Sequence, residues 1–127
     1  MSTLLLNTLT GKTSAGSIVV TGEGGSNTTN LQQGIAKSWV LGTNAAALTD
    51  SFNVSGGTDN STGDYSYAVS TSFSSANYSA PSVCAEDDVR FGMNKGRATG
   101  SYRHCYRDHG STLQDVANAV VVHGDLA

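Results

Sequence analysis

After residue 35 the chain alternates short runs of apolar side chains with clusters of turn-forming residues, and this rhythm constrains its fold more than any other feature. Runs such as "ALTDSFNVS" (47–55), "GDYSYAVS" (63–70) and "GSYRHCYR" (100–107) carry large side chains at every second position. Turn signals separate these runs at intervals of about ten residues, a spacing typical of a β-sandwich or small barrel. The pattern therefore predicts an all-β domain.

The composition agrees with this expectation and excludes two classes of partner. Only 13% of the residues are charged, whereas about a quarter is usual and long helices depend on such residues. The net charge of −3 does not supply the basic surface that nucleic-acid binding requires. No apolar run approaches the length of a membrane-spanning helix. We therefore expect neither a nucleic-acid partner nor membrane insertion.

Seven strands are predicted in the larger part of the chain, at 35–42, 47–55, 63–70, 76–85, 88–93, 100–107 and 115–124. The only proline, Pro81, places the fourth of these at a sheet edge or a bulge. The segment 111–120, which overlaps the last predicted strand, has the composition of a helix, but the run from Val120 to His123 favours a strand.

The stretch from Ser51 to Ser70 predicts a hairpin around a long polar loop. Its middle, "SGGTDNSTGD" (55–64), consists almost wholly of residues that bend without strain. The flanking apolar side chains are expected to form one buried face: Phe52 and Val54 on one strand, and Tyr65, Tyr67 and Val69 on the next.

The first 34 residues form a separate predicted segment. The runs 3–10 and 17–22 predict two short strands, and 29–34 predicts one helical turn with Thr28 or Thr29 as N-cap and Gly34 at its end. A two-stranded hairpin alone is marginally stable, so the apolar "LLL" at 4–6 requires a partner, which we expect to be another chain. We interpret 1–34 as an attachment and oligomerisation segment and 35–127 as the C-terminal β-domain.

The densest group of reactive side chains lies in "SYRHCYRDHG" (101–110). Strand alternation sends Tyr102, His104 and Tyr106 to one face and Arg103, Cys105 and Arg107 to the other. Aromatic rings beside charged donors suit sugars, which stack on the rings and bond through their hydroxyls. An equally strong alternative is a polar strand whose Tyr and His side chains cover the edge of the core.

Metal binding and catalysis are weaker alternatives for the same segment. His104, Cys105 and His109, with His123, are candidate metal ligands, but neighbouring strand residues point in opposite directions. Histidines from several chains around an oligomer axis remain an alternative. Cys105 with His104 or His109 lacks the geometry of a nucleophile and its base. We expect no catalytic residue, no metal and no cofactor.

Cysteine content allows two states. Cys84 and Cys105 are too few for a disulfide framework. They could pair with each other, but free, largely buried thiols are favoured in a reducing compartment. The first residues, "MSTLLLNTLTGK", lack the basic start of a signal peptide. We therefore expect synthesis in a cytoplasm.

Two central stretches, "NTTNLQQGIAKSWV" (27–40) and "DSFNVSGGTDNSTGDYSYAVSTSFSSANYS" (50–79), resemble the tail-fibre-type proteins of marine tailed bacteriophages. The closing "VVVHGDLA" (120–127) is similar to the last strand of that family. The matching positions are Leu31, Gly34, Ala36, Lys37, Trp39, 51–55, 58–60, 62–65 and 76–78. Residues 84–112 follow no family pattern.

The resemblance implies a homotrimeric virion fibre protein, made in the host cytoplasm and carried on the tail or capsid. Residues 1–34 would form an intertwined β segment that contacts other virion proteins, followed by a small β-sandwich-like domain. That domain would bind a host surface glycan or protein through the unfamiliar region after Cys84. The expected receptor-binding residues are Tyr102, Arg103, His104, Tyr106, Arg107, Asp108, His109, Asp87 and Asp88.

Two other functions fit the residues less well. A structural head fibre or capsid decoration protein would use the same fold without a receptor. A glycan-cleaving enzyme would need two carboxylates in a groove, for which Asp87, Asp88 and Asp108 are the clustered candidates. We therefore expect a fibre protein without enzymatic activity.

Overall fold

The computed structural model describes residues 3–12, 18–86 and 89–126. It divides the chain into two compact units, Met1–Ile35 and Ala36–Ala127. Within the described residues the only α-helix has four residues, and every paired strand is antiparallel to its neighbour. The all-β expectation is therefore confirmed.

The first unit contains one small hairpin and one helical turn. Strands β1 (Val19–Thr21) and β2 (Thr28–Asn30) pair, and helix α1 (Leu31–Gly34) follows at once. The N-cap of this helix is Asn30, whose side-chain oxygen accepts the backbone N–H groups of Gln32 at 2.8 Å and Gln33 at 3.3 Å. The helical turn was predicted correctly, but the predicted cap at Thr28 or Thr29 was wrong because Asn30 reaches both N–H groups.

The prediction of a strand over 3–10 is also wrong. Residues 3–10 contain no strand, and the apolar side chains of this stretch are exposed. Leu4 and Leu5 have exposed fractions of 79% and 88%. Their sequence lacks the strict alternation by which one face of a strand is buried and the other solvated.

Eight strands build the second unit. In chain order they are β3 (Ala36–Gly42), β4 (Leu48–Phe52), β5 (Val54–Ser61), β6 (Asp64–Val69), β7 (Ser82–Cys84), β8 (Phe91–Ala98), β9 (Ser101–Arg107) and β10 (Asn118–His123). They form two four-stranded sheets. The first sheet has the order β4-β3-β10-β7, and the second sheet has the order β5-β6-β9-β8.

The inner faces of these sheets share one core, as in a two-layer sandwich. The core contains four tyrosines from the second sheet, together with valines from the first: Tyr65, Tyr67, Tyr102, Tyr106, Val40, Val120 and Val122. Side-chain hydrogen bonds also join the layers. The Tyr67 hydroxyl donates to the side-chain oxygen of Asn118 at 2.7 Å, and the Ser38 and Tyr102 hydroxyls lie 3.2 Å apart. The buried hydroxyls of Tyr67 and Tyr102 thereby obtain the partners that burial requires, whereas the Tyr106 hydroxyl has no partner among the described residues.

Most of the predicted strands are present with shifted ends. The strand predicted at 100–107 is β9, and the final segment is a strand, as its β-branched run indicated. Strand β7 begins just after Pro81 and lies at the edge of the first sheet, as the proline predicted. The run 47–55 is divided at Asn53 into two strands that belong to different sheets.

Asn53 makes this crossing possible. Its φ angle of 55° lies in the left-handed region, which Asn tolerates better than most residues. Its side chain donates to the carbonyl oxygens of Lys37 at 3.0 Å and Thr71 at 3.1 Å and accepts the Thr71 N–H at 2.7 Å. The bend therefore carries its own local hydrogen bonds.

The predicted polar loop at 55–64 is mostly strand β5. Only Thr62 and Gly63 form the turn before β6, and Gly63 adopts a φ of 62°. The exposed edge position of β5 accommodates its polar residues, which the propensity argument did not anticipate. Phe52 is 52% exposed, so the prediction that it joins the buried face was wrong. Tyr65 and Tyr67 are buried as predicted.

Candidate functional site

Strand β9 separates the predicted receptor-binding residues into two groups. Tyr102, His104 and Tyr106 point into the core, and each is at most 1% exposed. These three side chains are enclosed by the second sheet and its partner layer, so the expectation that they contact a receptor is corrected. The alternation was predicted correctly, but the buried face is the aromatic one. Arg103 and Arg107 remain half-buried on the opposite, outer face.

A buried carboxylate organises the outer face of the second sheet. Asp64 is fully buried. Its carboxylate accepts hydrogen bonds from the Nε of Arg103 at 2.7 Å and from the Nη2 of the same side chain at 2.8 Å. Lys95 bonds the same carboxylate from β8. Asp64, Arg103 and Lys95 belong to the neighbouring strands β6, β9 and β8. In the pairing of β8 with β9, the register shift between Asn94 and Gly96 leaves Lys95 as an extra residue of β8. Such a bulge redirects a side chain.

The electrostatics of this cluster favour the charged form of the carboxylate. The hydrogen bond from Arg103 is the main reason why the pKa of Asp64 is lowered, and Lys95 adds to the effect. Side-chain exposure is 42% for both cations, so each keeps contact with solvent. The carboxylate is hidden while its two partners are presented at the surface. This half of the sheet therefore presents positive charge.

Beside this cluster lies a shallow groove of about 230 Å³. It is lined by Ser66, Gly96, Arg97, Ala98, Ser101 and Arg103, and we call it the basic groove. Small residues form most of this lining. No acidic side chain among the described residues lines it. Arg97 donates through Nη1 to the Tyr78 carbonyl oxygen at 2.8 Å, which ties its side chain to the sandwich.

The loop after β9 contains the remaining predicted residues. Asp108 accepts the Thr112 backbone N–H at 2.9 Å and the Gln114 amide at 3.2 Å, and the Thr112 bond is the main cause of its lowered pKa. Arg107 donates to the Ser111 carbonyl oxygen at 2.6 Å. Both side chains therefore hold the loop, while His109 is exposed in it. Asp87 and Asp88 lie outside the described residues.

The outer face of the first sheet has a different character. A cross-strand row joins Phe52, Trp39 and Val121 through the pairing of β4, β3 and β10. A depression of about 300 Å³ beside the row is lined by apolar residues, among them Trp39, Leu41, Pro81, Val83, Ala119 and Val121. We call the row and this depression the apolar face. Trp39 and Val83 are 36% and 59% exposed.

His104 is an unusual member of the core. It is fully buried beside the Tyr102 ring, and neither of its ring nitrogens has a hydrogen-bond partner among the described residues. Burial without a partner lowers its pKa to about 4. The imidazole is therefore neutral at physiological pH, and it weakens the core that it fills.

The alternative chemistries do not assemble from these residues. His104 faces the core, whereas Cys105 lies on the opposite side of β9, directly across from Asp64 and Met93. Cys84 packs against the core, and both thiols are free, so the disulfide left open by the sequence does not form. No group of three or more potential metal ligands occurs within the ranges that the structure describes. None of the described helices is long and apolar enough to span a membrane.

Comparison with known proteins gives no match: no family model, no curated protein and no solved structure is similar to this chain. Functional interpretation therefore depends on the two outer faces. Sequence reasoning selected Arg103 as a site residue but did not select its partners Asp64 and Lys95. It also did not identify Trp39 and Leu41 as surface residues. Strand alternation was the available signal, but it does not tell which of two faces is buried.

Proposed function

We propose that the chain is a homotrimeric virion fibre protein of a tailed bacteriophage, without enzymatic activity, that attaches the particle to its host. The observation that carries this proposal is the contrast between the two outer faces of the sandwich. One is apolar and suits assembly, and the other is basic and polar and suits contact with a hydrated surface. The sequence resemblance to tail-fibre-type proteins supplies the class of particle.

The apolar face supports self-assembly. Contiguous apolar patches on a soluble chain mark interaction sites. The chain repeats this feature in the exposed leucines at 4–6, so two parts of one short polypeptide carry unpartnered apolar surface. Copies of the same chain are the occupants that we assign to the apolar face. Residues 1–34 would interlock the copies and contact other virion proteins.

Host contact is assigned to the second sheet and the loop that follows β9. Arg103 and the exposed His109 are the predicted receptor-binding residues that we assign to this contact, while the half-buried Arg107 and Asp108 hold the loop. Lys95 extends this surface beyond the original prediction. A surface glycan is the partner that this hydroxyl-lined and positively charged region fits best.

The proposal has a direct test on intact particles. Antibodies against the chain should label the tail of the phage that encodes it in electron micrographs. Sedimentation of the purified chain should give about 39 kDa, three times the 13.0 kDa of one copy. Absence of the chain from purified particles would reject the virion assignment, and a monomeric mass would reject the trimer.

A structural head fibre or capsid decoration protein is the second candidate. The observation that favours it is the burial of Tyr102, His104 and Tyr106, which reduces the receptor-binding surface expected from the sequence. The same micrographs separate the two functions. Labelling of the capsid, with a copy number that follows its capsomers or vertices, would favour decoration over attachment.

A further inference from the structure

We propose that the basic groove binds the anionic substituents, sulfate ester or carboxylate, of a polysaccharide. This inference rests on the proposed function, since it specifies the class of receptor that the attachment surface would recognise. Its chemical basis is the arrangement of Arg103 and two serines around a floor of small residues, with Lys95 beside Arg103 on Asp64.

Arg103 is held in position before any ligand arrives. Its Nε and Nη2 bond the two oxygens of Asp64, which fixes the plane of the guanidinium group. These bonds use two of its five N–H donors, and the remaining donors can bind another anion. A planar guanidinium with a fixed orientation loses little freedom when it bonds an oxyanion. The buried carboxylate therefore acts as a support for a binding group.

The local charge is opposite in sign to that of the whole chain. On this outer face Asp64 is matched by Lys95 and Arg103, whereas Arg97 pairs with the inward-facing Tyr102 and bonds the Tyr78 carbonyl oxygen. Two cations against one carboxylate leave a local charge of +1, whereas the chain as a whole carries −3. A concentration of positive charge on an otherwise acidic protein selects anionic ligands.

The shape of the groove favours a sugar chain over a small ion alone. The groove is shallow, and Gly96 and Ala98 leave room for a ring to lie along the sheet. Ser66 and Ser101 supply hydroxyl groups within the same lining. The Ser66 oxygen accepts the Asn60 amide at 2.9 Å, which leaves its own proton available for a ligand oxygen. Charged and hydroxyl-bearing rings provide matching groups.

The test uses the full chain with immobilised dextran sulfate and polygalacturonate, and with unmodified dextran as the neutral reference. We expect both anionic polymers to bind and the neutral polymer not to bind. Raising the sodium chloride concentration from about 50 mM to about 500 mM should weaken binding at least tenfold, because salt screens exposed charges. Equal binding to neutral dextran, or equally strong binding to duplex DNA, would overturn the proposal.

A charge series at Ala98 tests the location. Ala98 is exposed on β8 and lines the groove, and it makes no ion pair. Relative to Ala98→Gln, which matches the added size, Ala98→Glu should bind dextran sulfate about tenfold more weakly and Ala98→Lys severalfold more tightly. Thr49→Glu and Thr49→Lys place the same charges on exposed β4 of the first sheet and should change binding less than twofold.

Each outcome of the series has a defined meaning. Equal affinities for the three Ala98 variants would overturn the assignment to this groove. If Ala98→Glu does not fold, the comparison of Ala98→Lys with Ala98→Gln still tests whether the polymer binds at this groove. A failure of the proposed function can be distinguished from a failure of this inference. If the chain is absent from purified particles, the virion role is contradicted, but binding to the polymers is unaffected. Conversely, tail labelling without polymer binding would reject only the anionic receptor.

Discussion

The two outer faces of the sandwich differ although the strands beneath them obey the same alternation. On the first sheet the outward positions hold Trp39, Leu41 and Val121, whereas on the second they hold Arg103, Lys95 and Ser66. The inner positions of both sheets serve one core. The difference teaches that the fold is determined by the inward residues, so the outward residues are free to specify two separate interactions.

The largest effect is expected from a charge on the apolar face. If copies assemble through this face as proposed, Trp39→Asp should convert the assembly to a monomer of 13.0 kDa, because an aspartate cannot be buried between two copies without a partner. Sedimentation velocity measures the change. Thr49→Asp, an exposed position on the same sheet, is the matched control and should leave the mass unaltered. An unchanged mass for Trp39→Asp would remove the functional distinction between the faces.

A smaller effect is expected from the core that separates the faces. The pKa of His104 is about 4 in the folded chain, whereas its ordinary value is 6.5. Between these values the unfolded chain binds more protons, so stability should fall as the pH decreases from 6.5 to 4, by roughly 3 kcal/mol in total. Urea unfolding across this pH range measures the loss.

His104→Phe supplies the comparison for that experiment. Phenylalanine needs no hydrogen-bond partner, so the variant should lack the His104 contribution while every other titrating group is kept. The difference between the two pH profiles isolates this residue. Parallel profiles for the two proteins would contradict the assignment of a neutral, unpartnered imidazole to the core.

The third effect concerns the support beneath the basic groove. Asp64→Asn keeps the shape of the buried side chain but removes the charge shared by Arg103 and Lys95. We expect a loss of roughly 2 kcal/mol in the free energy of unfolding, because the substitution removes the buried anionic partner of both cations. Lys95→Gln should cost much less because that side chain is 42% exposed. Equal losses would show that the carboxylate is not the organising group.

Sequence reasoning succeeded where local alternation decides the outcome. Tyr65 and Tyr67 were assigned to the buried face, and β9 was located almost to the residue. It failed where a tertiary neighbour decides. Strand β5 is polar because it lies at a sheet edge, and Trp39 is outward although tryptophan usually favours burial.

The basic groove could not have been predicted from the pattern alone. Lys95 reaches Asp64 across an intervening strand, and the two residues are 31 positions apart in the chain. The contact depends on an extra residue in β8, and no periodic signal marks that residue. The segment 101–110 was singled out for its reactive side chains, but some of these side chains hold the structure together. Arg107 and Asp108 are two of these.

The opposite orientation of the two outer faces has a consequence for binding strength. A sandwich that assembles through one face leaves the other on the outside, so a trimer would carry three copies of the same shallow groove. When several weak sites engage one polymer, the later contacts form at high effective concentration, and avidity can exceed single-site affinity by a factor of about 10² to 10⁴. A shallow groove is then an advantage, because each contact can be released singly while the particle stays on its surface.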